Sequence, residues 1–163
     1  MPNEIKTERL LLRQLSPDEA RDLLEGRPVD GLPWESGYPT EGTLVAVDAL
    51  VRAAAVGVDA GPFGLYQLVR LDDQHVVGDI GFYGRPDGDG AVTLGYGLAP
   101  PARGRGYATE ALRAVLEWAL AQPRVRRVQA DTTHANVASQ RVMERAGMRL
   151  VGTDEQLRYY HWP

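Results

Sequence analysis

Residues 95–111, Gly-Tyr-Gly-Leu-Ala-Pro-Pro-Ala-Arg-Gly-Arg-Gly-Tyr-Ala-Thr-Glu-Ala, constrain this chain more than any other stretch. They run from an alternating strand pattern, through a turn rich in Pro and Gly, into a helix. Within them Arg103, Gly106 and Ala108 stand at the spacing Arg-x-x-Gly-x-Ala. Small side chains there leave backbone N–H groups bare at a helix N-terminus. Those groups and the helix dipole attract anions. Arg103 and Arg105 add positive charge. The segment reads as a turn built to hold phosphates.

The flanking pattern sets the fold class. A strand is expected over 8–15. Ser16-Pro17-Asp18-Glu19 then opens a helix, with Ser16 as cap, Pro17 at the first helical position and Glu19 closing a capping box. Residues 26–42 are rich in Gly and Pro and carry Trp34 and Tyr38. A second helix is expected over 43–56, with Leu44, Val47, Leu50, Val51 and Ala54 on its apolar side. Strands over 65–71, 75–83 and 91–98 follow in hairpin order. The next helix, over 104–122, has an apolar stripe from Ala108 to Ala119. A strand over 125–133, a helix over 136–146 that Gly147 stops, and a closing hairpin over 148–152 and 156–162 complete the chain. The order β-α-α-β-β-β-α-β-α-β-β predicts a mixed α/β sheet with antiparallel and parallel pairs.

The 163 residues suit one domain, expected to span 1–163. The absence of cysteine excludes disulfides and cysteine-ligated zinc. His75, His134 and His161 lie far apart in sequence, which argues against a metal enzyme. No run of ~18 apolar residues exists, and residues 1–6 lack the apolar run of a signal peptide. A cytoplasmic protein without a membrane partner is expected. Net charge is −8 over residues 1–100 and +4 over 101–163. A basic C-terminal part suits an anionic ligand, and an acidic N-terminal part a cationic one. No basic run with interleaved aromatics appears, so nucleic acid is not the expected partner.

Rival phosphate loops fail on spacing. An NTP-hydrolysing loop ends in Gly-Lys-Ser/Thr, whereas Gly106 is followed by Tyr-Ala-Thr. A dinucleotide fingerprint needs a third glycine where Thr109 stands, and a βαβ start rather than the end of a hairpin. A plain strand-to-helix turn would account for isolated glycines. It accounts less well for two arginines, two glycines and Ala108 within six residues.

With Leu98-Ala99-Pro100 before it, the Arg103-x-x-Gly106-x-Ala108 loop resembles the acyl-CoA signature of the GNAT N-acetyltransferase superfamily. Asp131-Thr-Thr-His-Ala-Asn136-Val-Ala-Ser139 followed by Gly147 resembles the Asn-x-x-Ser…Gly block of the branch that includes the ribosomal-protein N-terminal acetyltransferases. Thr7-Glu-Arg-Leu-Leu-Leu-Arg13 is similar to that branch's first strand. The resemblance covers nearly the whole chain in order. It implies a single-domain, mostly antiparallel sheet of about seven strands with about four helices, splayed in the middle to admit acyl-CoA. It implies acetyl-CoA as co-substrate, with Leu98, Ala99, Arg103, Gly104, Arg105, Gly106, Tyr107, Ala108 and Thr109 at its pyrophosphate and pantetheine arm. By the same resemblance Asn136 touches the arm and Ser139 sits near the sulfur. Asn136 also suits an N-cap, Ser139 a neutral helix position, and Arg103 and Arg105 solvated turn charges. Arg145 matches a basic position that can meet the 3′-phosphate, or is a plain surface arginine.

Acetyl transfer to an amine needs a proton acceptor, a donor for the carbonyl oxygen and close positioning. Here the chain departs from its relatives. Thr93 stands where many carry Glu, and Met143 where many carry a Tyr acid. Ser139 is the remaining acid candidate. Asp79 is the first choice of base, or else an anchor for a cationic acceptor; Asp131, Glu35, His134 and a water chain are rivals. Trp34, Tyr38, Phe82, Tyr83 and Tyr160 are candidates for the acceptor pocket, or for ordinary packing. The expected activity is acetyl-CoA-dependent N-acetylation of a small-molecule amine or protein N-terminus, without a metal, by a monomer or homodimer. An acyl-CoA-binding module without catalysis, a non-acetyl acyltransferase or aminoacyl transferase, and a nucleotide-binding regulatory domain are the alternatives.

Overall fold

A computed structural model describes residues 3–163. The leader-free N-terminus expected from residues 1–6 rests partly on Met1 and Pro2, which lie outside the described residues. The chain begins with a short strand, β1 (Glu4–Lys6), paired antiparallel with β2 (Leu10–Gln14). β1 is the strand absent from the sequence reading: it spans 3 residues, two of them charged, too few for its alternation to be read as a strand. Helix α1 (Pro17–Leu24) starts as expected. The Ser16 hydroxyl accepts from the Glu19 amide at 3.1 Å, and the Glu19 carboxylate accepts from the Ser16 amide at 2.9 Å.

Helix α2 (Glu41–Ala55) is capped by Thr40, whose hydroxyl accepts from the Thr43 amide. Of its expected apolar face only Val47 is fully buried, while Leu44 is 40% exposed. The reason is what the helix covers: much of it roofs a cavity rather than a core. Strands β3 (Leu65–Arg70), β4 (Val76–Phe82) and β5 (Ala91–Leu98) follow as an antiparallel meander. Then come α3 (Tyr107–Leu120), β6 (Arg127–Thr133), α4 (Val137–Arg145), β7 (Arg149–Thr153) and β8 (Leu157–Trp162).

The sheet has 8 strands in the order β1-β2-β3-β4-β5-β6-β8-β7. Every neighbour pair is antiparallel except β5–β6. That parallel pair follows from α3, which carries the chain back over the sheet between them. Its register runs only from Ala91 opposite Arg127 to Thr93 opposite Gln129. Beyond Thr93, β5 stays with β4 as far as Leu98 while β6 turns to β8. The sheet is therefore split along its middle, as the resemblance implies.

Two cores flank the split sheet. Ala111, Leu112, Val115, Leu116 and Ala119 of α3 pack on Leu68, Ile80 and Leu94, none more than 2% exposed. On the opposite side Ala20 and Leu23 of α1 and Val47 of α2 close over Val69 and Val76. Among the described residues no helix is long and apolar enough to cross a membrane.

Candidate functional site

The loop after β5 takes its shape from two glycines. Gly104 has φ +77° and Gly106 φ +83°, the left-handed region that side-chain-bearing residues enter at a cost. Gly106 is the N-cap of α3 and offers no side chain to its first turn. The amides of Gly104, Arg105, Gly106, Tyr107, Ala108 and Thr109 find no acceptor among the described residues. A Cβ added at Gly104 would meet no atom within 4 Å, so the surface above the loop is open. Unpaired amides, an α3 dipole and open space together fit a pyrophosphate group.

The arginines brace the loop as well as charging it. Arg103 Nε donates to the Leu98 carbonyl at 3.2 Å, and Arg105 Nε to the Pro101 carbonyl at 3.3 Å. Both are exposed. Tyr107 and Ala108 are buried against the core, and Leu98 is half-buried. Ala99 is 0% exposed and its amide already donates to the Val77 carbonyl at 2.8 Å. Of the expected arm-binding positions, Ala99 therefore has no free group to offer.

A second set of residues, invisible in sequence, fixes the loop from behind. Glu110 in the first turn of α3 accepts from the Thr7 hydroxyl at 2.6 Å, the Arg9 amide at 2.8 Å and Arg9 Nε at 2.7 Å. Arg9 also donates to the Arg105 carbonyl at 2.9 Å and stacks 4.5 Å from the Tyr107 ring centroid. Burial pushes the Glu110 carboxyl up, but its hydrogen bonds outweigh that and hold it ionised below the usual range. One ion pair thus ties the start of β2 to the phosphate loop.

Across the split, Asn136 caps α4: its Oδ1 accepts from the Ser139 amide at 3.1 Å. Ser139 Oγ lies 2.9 Å from Tyr96 Oη, which also donates to the Ser139 carbonyl at 3.1 Å. Burial pushes the Tyr96 phenol up to about 12, so it stays protonated. Sequence reading took Tyr96 as one of a strand's alternating residues and missed this contact. Met143 is 2% exposed and fills the core. Arg145 is exposed beside Arg113, whose guanidinium donates to the Arg145 carbonyl at 2.7 Å.

On the β4 side of the split lies a cavity of about 590 Å³, roofed by α2 and floored by β4 and β5. Ala46, Ala49, Leu50, Phe63 and Phe82 form much of its wall, with Gly95 and Gly97 toward the split. Asp79 lines it, 5% exposed, directly opposite Gly97 in the β4–β5 register. Thr43 Oγ1 donates to Asp79 Oδ2 at 2.6 Å. Burial pushes the Asp79 carboxyl up to about 6, against hydrogen bonds from Thr43 and Tyr38 that favour its ionised form. The fully buried Gln67 holds Tyr38 in turn, Nε2 to Oη at 3.3 Å. Such a carboxylate is ionised at neutral pH yet basic enough to accept a proton.

Of the other candidates, Phe82 and Tyr83 line the cavity and the rest lie elsewhere. Tyr83 lines the cavity and crosses Gly95, its Oη 2.6 Å from where a Cβ would stand. Tyr38 is buried behind Asp79, with Trp34 edge-on to it at 6.1 Å; neither forms the cavity wall. Tyr160 is 0% exposed in the main core. Glu35 is held low by the Ser36 amide and Arg70, 3.0 Å away. Asp131 is exposed on β6, and His134 Nε2 sits 2.7 Å from the Asp154 carbonyl. None of these last three lines the cavity, and among the described residues Asp79 is the only acidic one that does. The acidic surplus of residues 1–100 does not converge there.

Comparison with known proteins agrees with this geometry. The family model described as "Acetyltransferase (GNAT) domain" matches residues 9–149. The uncharacterized N-acetyltransferase YjdG of Bacillus subtilis (strain 168) is 33% identical over 100 residues, 61% of this chain and 58% of that protein. The match therefore spans under two thirds of that relative's length. In fold, the chain is similar to an acetyltransferase (GNAT family) from Bacillus anthracis, with TM-score 0.67 and 22% identity over 98% of both chains. It is also similar to the ribosomal L7/L12 alpha-N-protein acetyltransferase RimL in complex with coenzyme A, with TM-score 0.69 and 18% identity over 98% of this chain and 97% of that one.

Proposed function

Because the chain belongs to the acetyltransferase (GNAT) domain family, we propose that it transfers the acetyl group of acetyl-CoA to a primary amine by direct attack in a ternary complex, as one domain spanning residues 1–163. The observation that carries this reading is the buried Asp79 in the lining of a largely apolar cavity that also takes in Gly95 and Gly97 of β5. A buried carboxylate held by hydroxyls but without a countercharge costs stability, and a module that only binds acyl-CoA has no use for one. The geometry thus favours catalysis over binding alone.

Acetyl-CoA supplies the thioester; the chain supplies the rest. Its phosphates fit the open amides from Gly104 to Thr109, and Asn136 flanks the arm at the head of α4. Asp79 takes the proton from the acceptor ammonium, and Thr43 holds its Oδ2. A backbone N–H of β5 near Leu98 donates to the carbonyl oxygen as charge gathers there. Ser139 Oγ donates toward the departing sulfur and takes in exchange the second proton that the attacking nitrogen sheds as the amide forms, while Tyr96, hydrogen-bonded to that oxygen, fixes its direction and stays protonated. Thr93 and Met143 take no part.

Free thiol release from acetyl-CoA, followed over a panel of amines and peptides, tests the proposal. Release above hydrolysis with any acceptor supports it. Coenzyme A binding with no release on any acceptor would leave only the binding module, and a thermal shift with ATP but none with coenzyme A would sink both.

A further inference from the structure

We infer that the acceptor is a monoamine on a compact apolar body, and that α2 selects it. This rests on the transfer reading above and names the substrate class of the same cavity. The wall that α2 presents contains Val45, Ala46, Ala49, Leu50 and Ala53, with no charged residue among them. Phe63, Leu65 and Phe82 continue it from the sheet side. Val45 and Leu44 remain 68% and 40% exposed, so α2 keeps apolar surface outside the core for something other than its own packing. One carboxylate, Asp79, meets one ammonium.

A polycation would bring a second ammonium into a wall with no second acid, and burying an unpaired charge is strongly unfavourable. A hydroxyl-bearing side chain set against Ala46, Ala49, Leu50 and Ala53 would lose its hydration there, and the Thr40, Thr43 and Tyr96 hydroxyls that line the same cavity are already hydrogen-bonded within the chain, leaving Tyr83. An apolar body loses nothing by entering. The apolar surroundings also lower the amine's proton affinity while they raise that of Asp79, so the two approach each other and proton transfer becomes less uphill. The cavity, about 590 Å³, falls in the usual range for small-ligand sites, and its β5 end must also admit the thioester.

The test measures kcat/KM by thiol release for four acceptors: 2-phenylethylamine, a leucyl peptide, a seryl peptide of otherwise equal sequence, and spermidine. The expected result is a preference of at least about tenfold for the first or second over both others. Which of the two leads tells a free amine from a chain terminus. Ala46→Phe, one turn beyond Thr43, should raise KM for the preferred acceptor about tenfold while coenzyme A still shifts the melting temperature. Ala49→Trp, at the exposed rim, gives the same reading where Ala46→Phe does not fold. Equal or better use of spermidine or the seryl peptide overturns the inference. Calorimetry on the coenzyme A-loaded protein separates it from the transfer reading. Binding of 2-phenylethylamine but not spermidine, without thiol release, upholds the acceptor class and rejects transfer. Binding of neither apolar acceptor rejects the acceptor class.

Discussion

Asp79→Asn should make the protein more stable at neutral pH and nearly inactive. The carboxyl titrates at about 6 in the folded chain against 3.8 for the free group. That difference makes ionised Asp79 costlier in the fold by about 3 kcal/mol. Folding therefore takes up a proton at this site between about pH 4 and 6. The stability that Asp79 contributes is fully present below about pH 4 and is lost as pH rises through 6. Asparagine keeps an oxygen for Thr43 and carries no charge, so the gain at pH 7.5 should approach that figure. For a chain of this size it corresponds to a rise of roughly 6–12 °C in Tm. At pH 4 the gain should vanish, because both side chains are then neutral. Thermal unfolding at the two pH values measures it. In parallel, kcat/KM for any accepted amine should fall by about 10²–10⁴-fold. The wild-type activity limb centred near pH 6 should disappear, leaving only the limb due to the amine itself. A stability difference of the same size at both pH values, or a loss at pH 7.5, would refute the argument that burial sets this group's proton affinity. Full activity in the variant would refute its role as base.

Three further outcomes follow from the same geometry. Gly106→Val forces a β-branched residue to φ +83° and covers the amides, so coenzyme A affinity by calorimetry should drop at least about 100-fold while circular dichroism stays native. Ser139→Ala should lower kcat by about 10²-fold in steady-state assays. Tyr96→Phe should lower it less, about tenfold, because Tyr96 acts through the serine; equal losses would put the phenol itself at the sulfur. Glu110→Gln removes the charge that Arg9 answers. It should raise KM for acetyl-CoA several-fold with kcat for the acceptor unchanged, and an unchanged KM would show that the Arg9 tie does not position the loop.

The parts of this chain legible in sequence are those whose physics is local. The Ser16/Glu19 capping box spans three positions, and the hairpin order of β3 to β5 needs only alternation and turn residues. The shape of the Gly104–Gly106 loop is readable because its requirements, glycines at positive φ and bare amides before a helix, are written within six residues. The split between β5 and β6 could be expected only through the family resemblance. Nothing in residues 91–98 says that pairing with β6 stops after Thr93.

The illegible parts depend on meetings between distant segments. Arg9 and Glu110 are 101 positions apart, Tyr96 and Ser139 43, and Thr43 and Asp79 36. Each side chain alone reads as a surface charge, a strand aromatic or a helix threonine. Helix α2 shows the limit most clearly. Its pattern reports that one side is apolar and not what covers that side, so Leu50 reads as core when it lines a cavity, and Leu44 when it stays 40% exposed. The same ambiguity governs Asp79. An aspartate in a strand of buried residues is a conflict between pattern and chemistry, and burial raises its proton affinity at a cost in stability. Removing that cost by mutation and losing activity at the same stroke is therefore the most direct evidence obtainable that β4 was built around the reaction rather than around the core.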